Sequence, residues 1–102
     1  MKSGAKAAQY LRALARRRTV REKERRYIID GPLLVAEALR LHVPLEAIYV
    51  EAGTNEDLVD DATRAGVRVH VVPPGQVHRY TDVMTPQGVV ALAPMPSLTA
   101  AP

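Results

Sequence analysis

The sequence predicts an α/β domain: a mainly parallel sheet of about four strands with helices on both faces, preceded by a basic helix. Three observations predict it. Short β-rich runs alternate with helical segments from residue 5 to residue 93. The last of these runs, "GVVALA", is apolar throughout, as a central strand covered on both faces must be. The chain has 102 residues, 47% of them hydrophobic, enough for one modest core. Alternating helices and strands favour right-handed crossovers, and hence parallel pairing.

Each element has its own local justification. Residues 5–17, "AKAAQYLRALARR", place Ala7, Tyr10, Leu11, Leu14 and Ala15 on one helical face and Lys6, Gln9, Arg12, Arg16 and Arg17 on the other. Arg18 would return to the apolar face, so the helix is expected to end near it. Thr19 to Glu24 reads as a charged connection. "RYIID", 26–30, is a strand. Gly31 and Pro32 then open a helix, because proline suits the first turn, where its missing N–H would have no partner. That helix, 32–41, is apolar over most of its circumference and is expected to be largely buried, with Glu37 and Arg40 paired on its outer side. Val43-Pro44 ends it.

"EAIYVE", 46–51, is the second strand. In 54–66, Thr54 is placed to cap the N–H of Asp57, with acids in the first turn where the helix dipole favours them. Leu58, Val59, Ala62 and Ala65 form the inward face, and Gly66 supplies the left-handed stop. "VRVHVV", 67–72, alternates, with Val67, Val69 and Val71 opposite Arg68 and His70. After Pro73-Pro74-Gly75 a short helix is expected over about 75–80, with Val77 and Tyr80 inward. "TDVMTPQG" is a loop or irregular strand, and 88–93 is the last strand. This divides the chain into a basic helix and loop (1–25), an α/β domain (26–94) and a Pro/Ala/Ser linker (95–102).

Charge is distributed unevenly. Residues 1–26 carry ten basic side chains against Glu22 and Glu24, a net +8, whereas residues 27–102 carry a net −5. A basic head on an acidic body is the footprint of a polyanion partner. The other reading is a solvated helix or arm. There is no cysteine, hence neither disulfide framework nor thiolate metal site, which fits a reducing cytoplasm. No apolar run approaches the roughly 20 residues that span a bilayer, so no membrane partner is expected.

The chemical inventory is thin. There is no G-x-G-x-x-G and no Walker loop. His42, His70 and His78 have no spacing that pairs them as metal ligands, and read as surface or boundary histidines. Ser3 and Ser97 lie in apparent tails, which makes a nucleophilic triad improbable. No catalytic residue, cofactor site or metal site is assigned.

Two stretches go further. "RRYIIDGPLLVAEAL" and "VMTPQGVVALA", at this spacing, resemble the N-terminal substrate-binding domain of the SpoU/TrmH-type (SPOUT superfamily) RNA 2′-O-ribose methyltransferases. The matching positions are Arg16 to Arg18, Tyr27 to Gly31, Val35, Glu37 to Leu39 and Thr85 to Gly88, with Asp30 where that family usually has Glu. The likeness covers about residues 10–94. It implies a three-layer α/β/α sandwich resembling the kink-turn-binding ribosomal proteins. It also implies a structured RNA partner, most often ribosomal RNA. S-adenosylmethionine, the catalytic arginine and the homodimer interface would belong to a separate C-terminal domain, so this chain alone would not be an enzyme. On this reading Arg12, Arg16, Arg17, Arg18, Lys23, Arg25 and Arg26 contact RNA phosphates, which position rather than specify. Gln87 either shapes its turn or reaches a base or ribose. The competing readings are a protein-docking or dimerisation module whose basic arm meets an acidic partner, and a stand-alone ribosome-associated kink-turn binder.

Overall fold

A computed structural model describes residues 2–79 and 88–95, with the side chains of residues 2–8 and 78 left aside. The elements run α1 (Lys2–Arg16), α2 (Arg18–Glu24), β1 (Arg26–Asp30), α3 (Pro32–Arg40), β2 (Ala47–Glu51), α4 (Glu56–Arg64), β3 (Arg68–Val72), a 3₁₀ turn (Val77–Arg79) and β4 (Val89–Pro94). The four strands form one sheet in the order β1-β4-β2-β3.

The sheet is mixed, which corrects the expectation of a mainly parallel one. β2 and β3 are parallel, but β4 is antiparallel to both β1 and β2. The reason lies in where β4 begins. Glu51 and Val72, the last residues of β2 and β3, are partners, and Val89 at the start of β4 lies opposite Val50. The chain therefore enters β4 from the end of the sheet at which β3 finished. The described part of the connection holds only a three-residue 3₁₀ turn, with no long helix to carry it back. The central position read from the apolar β4 run holds: Val89 to Ala93 are all buried.

Helices cover both faces. On one, α3 and α4 bury Val35, Leu58 and Ala62 against Ile48, Val50, Val89 and Ala91. On the other, Leu11 and Leu14 of α1 and Val77 of the 3₁₀ turn pack on Val90 and Leu92. The basic helix is thus docked on the sheet through its predicted apolar stripe.

Three further expectations change. First, Arg18–Glu24 is a helix rather than a loop. Arg17 is extended (φ −117°, ψ 113°) and breaks it from α1. Val20 packs against the Leu11 cluster, and Arg18 pairs with Glu22 one turn on. Second, α3 is not largely buried. Val35 and Ala38 face inward, but Leu33 is 84% exposed, Leu34 60% and Leu41 57%. Its place beside the edge strand β1 leaves only one side against the sheet. Third, Thr54 does not cap α4. Asn55 holds the N-cap position in the left-handed region (φ 54°) without a side-chain cap bond, while the Thr54 hydroxyl donates to the Glu51 carbonyl at 2.8 Å. Ala65, expected inward, is exposed. Gly31 at the start of α3 has φ 99° and ψ 153°, a conformation essentially closed to other residues.

Candidate nucleic-acid interface

The basic residues of the first quarter of the chain are sorted by the fold into two kinds. Arg16, Arg17, Arg18, Lys23 and Arg25 are exposed, gathered where α1 ends and α2 turns back toward β1. Arg12 lies one turn before Arg16 on the same helix face. Its Nε donates to the Arg79 carbonyl at 2.9 Å, which brings the 3₁₀ turn, and the exposed Arg79 with it, beside the arginine-bearing ridge of α1. Sequence reading did not single out Arg79, because nothing in its neighbourhood signals proximity to a residue 67 positions earlier.

Arg25 occupies the left-handed region at φ 59°, and its backbone N–H donates to the Arg21 carbonyl at 2.8 Å. That conformation turns the chain sharply out of α2 and into β1.

Arg21 and Arg26 are held inward. Arg21 Nη1 donates to the carbonyls of Leu14 at 2.7 Å and Ala15 at 3.2 Å. These belong to the last turn of α1, where backbone carbonyls lack helical partners, so Arg21 caps the helix that carries the arginine ridge. Arg26 Nε donates to Glu46 at 2.7 Å, its Nη1 donates to the Tyr10 hydroxyl at 3.0 Å, and Glu24 lies 3.6 Å away. The Glu46 carboxylate first, then the Tyr10 hydroxyl, hold the Arg26 guanidinium above the ordinary arginine range. Tyr10 in turn donates to Glu24 at 3.1 Å, and burial raises its phenol pKa. Among the described sequence-predicted contacts, Arg26 is thus the half-buried one, its charge met by two carboxylates and a phenol, whereas Arg18 meets Glu22 at the exposed surface. Gln87, with Thr85 and Pro86, lies outside the described residues.

The exposed guanidiniums and the Lys23 ammonium present positive charge at this corner of the fold. Among the described residues no three His, Asp or Glu side chains come together in a way that could hold a metal ion. No helix of the described residues is long and apolar enough to cross a membrane.

The chain matches a family model described as the MRM3-like substrate binding domain over residues 6–91. No curated protein matches it by sequence search. Among solved structures, it is similar to an rRNA methyltransferase from Sinorhizobium meliloti (TM-score 0.70, 22% identity, covering 88% of this chain and 34% of that one). It is similar also to the SpoU methyltransferase AviRb from Streptomyces viridochromogenes in complex with AdoMet (TM-score 0.71, 18% identity, 94% and 36%). A third is an RNA 2′-O ribose methyltransferase (TM-score 0.67, 24% identity, 98% and 37%). At these identities the likeness is one of fold, and the chain spans about a third of the length of each of these three structures. By the family match, which takes in most of the sequence, the chain belongs to the MRM3-like substrate-binding domains.

Proposed function

We propose that this domain binds structured RNA, in particular ribosomal RNA, through the arginine ridge, and positions it for an S-adenosylmethionine-dependent 2′-O-ribose methyltransferase domain of the same protein. The observation that carries the reading is the grouping of Arg12, Arg16, Arg17, Arg18, Lys23 and Arg25 on one docked helical corner. A target ribose must be held in register, and phosphate contacts on a rigid element supply affinity and register together. The AdoMet complex of AviRb supports assigning the cofactor to the part of the parent protein that this chain does not match. The finer readings go with it: a fold of the kink-turn-binding type, a homodimer formed through the catalytic domain, and work in the cytoplasm. The sheet with helices on both faces supports the first, and the cysteine-free sequence suits the last.

The test is RNA affinity as a function of salt. Log K should fall linearly with log salt, by roughly 0.7 to 0.9 per phosphate neutralised. Arg16→Ala, Arg17→Ala and Arg18→Ala combined should weaken binding and reduce that slope. Affinity that survives high salt, or that the triple variant leaves intact, refutes the assignment. The docking reading has an observation of its own in the exposed leucines of α3. A chain that ignores RNA yet forms a tight dimer would establish that reading instead.

A further inference from the structure

A second feature of the molecule faces outward and is aromatic. Tyr49 on β2 and His70 on β3 are partners in the parallel register. Their rings stack, with centroids 4.8 Å apart and planes inclined by 18°. Adjacent strands lie about 4.7–4.9 Å apart, so the stack runs along the direction from one strand to the next. Tyr49 is the inner member, packed against the Leu11 cluster. His70 is the outer one, on a strand with no neighbour beyond it in the sheet. The ring face of His70 turned away from Tyr49 therefore looks past the sheet edge, where no further strand of the described sheet lies.

Arg68 completes the feature. It lies two residues before His70, so its side chain leaves the same face of β3. It is exposed and makes no salt bridge or hydrogen bond among the described residues. Its charge is felt at the pair: burial raises the Tyr49 phenol pKa, and Arg68 pulls against it. Both rings are half-buried, and among the described residues the outer one ends the stack.

We propose that the outer face of His70, backed by Tyr49, is a stacking site for one unpaired RNA base, and that Arg68 contacts the phosphate of that nucleotide. Aromatic side chains with an open ring face take splayed bases in this way, whereas paired bases offer no free face. The inference rests on the RNA-binding reading above and adds to it a preference for single-stranded elements.

The experiment compares two RNAs of equal phosphate number, a hairpin whose adenosine loop carries one 2-aminopurine and a fully paired duplex. His70→Ala in the 102-residue chain should weaken the hairpin complex at least roughly fivefold, the low end of what one stacked base contributes. It should leave the duplex and the salt slope unchanged and abolish the 2-aminopurine quenching seen on binding. His70→Tyr should restore both affinity and quenching, and His70→Gln, which keeps a polar side chain without a ring, should not. Arg68→Gln should lower the hairpin's salt slope by about one phosphate's worth. If His70→Ala changes hairpin and duplex alike, or neither, the stacking site is refuted while RNA binding stands. If the unaltered chain binds neither RNA, the RNA reading itself falls, and this site with it.

Discussion

Arg26 donates through Nε to the Glu46 carboxylate at 2.7 Å, so the first residue of β1 is tied to the residue that precedes β2. The two strands are not neighbours: β4 lies between them, and the bridge reaches across its end. The same guanidinium holds the Tyr10 hydroxyl of α1. One side chain thus pins the basic helix, the edge strand and the entrance to β2. Both partners are about a third exposed, which limits what the pair contributes. Arg26→Ala is expected to cost about 1 kcal/mol by denaturant unfolding, and to reduce RNA affinity less than removing an exposed arginine such as Arg17. A loss of affinity equal to that of Arg17→Ala would show that Arg26 also meets phosphate.

The phenols give stability a defined alkaline limb. Burial is the first cause of the raised pKa at both Tyr10 and Tyr49. A tyrosine whose folded pKa lies above its unfolded value, about 10, contributes stability that is complete below pH 10. That contribution is lost as pH rises through the folded value, because the unfolded chain ionises first. Unfolding free energy should therefore fall above about pH 10. Tyr49→Phe should flatten that fall without the side effects of Tyr10→Phe, which also breaks the bonds to Glu24 and Arg26. Denaturant melts at a pH below and a pH above 10, for both chains, decide it. An equal decline in the two would remove Tyr49 from the account.

On α3, neighbouring positions should respond in opposite ways. Val35 is fully buried in the core, whereas Leu33 and Leu34 are exposed. Val35→Ala is expected to cost about 2 kcal/mol, from lost transfer energy plus the cavity left behind. Leu33→Gln with Leu34→Gln should stay within about 0.5 kcal/mol of the parent, since surface changes remove little packing. A large loss in the double variant would mean that the leucines are covered in solution.

Those leucines also show where the sequence stops being informative. The helical periodicity of α1 was legible because Leu11 and Leu14 alternate with cations, and both are buried. α3 carries leucines nearly all round, so its pattern could not say which face would be left over beside an edge strand. β4 could be read as central from its unbroken apolar run, but its direction depends on where the chain enters the sheet, which composition does not encode. α2 was missed because Val20 is its only apolar residue, too few for a period. The candidate interface is half legible. The charge run marks it, but the inward turn of Arg21 and Arg26 and the approach of Arg79 to Arg12 are tertiary facts. His70 was read as a lone histidine because its partner, Tyr49, is on another strand.

The proposed division of the arginines into structural and RNA-contacting can be tested by measuring two properties on the same variants. Arg21 spends its guanidinium on the Leu14 and Ala15 carbonyls at the end of α1. Arg17 and Lys23 are exposed and make no salt bridge among the described residues. Arg21→Gln should therefore lower unfolding free energy by about 1 kcal/mol, the scale of a lost helix cap, while leaving the salt slope of RNA binding unchanged. Arg17→Gln and Lys23→Gln should do the reverse: stability within about 0.5 kcal/mol, and a slope reduced by roughly 0.7 to 0.9 for each. The sign of the stability change follows from geometry alone, so it stands whatever the RNA used. The slope change follows from counterion release, so it should recur with any RNA that the ridge holds. A slope lowered by Arg21→Gln as much as by Arg17→Gln would mean that the cap opens when RNA binds and that the inner arginine joins the outer ones.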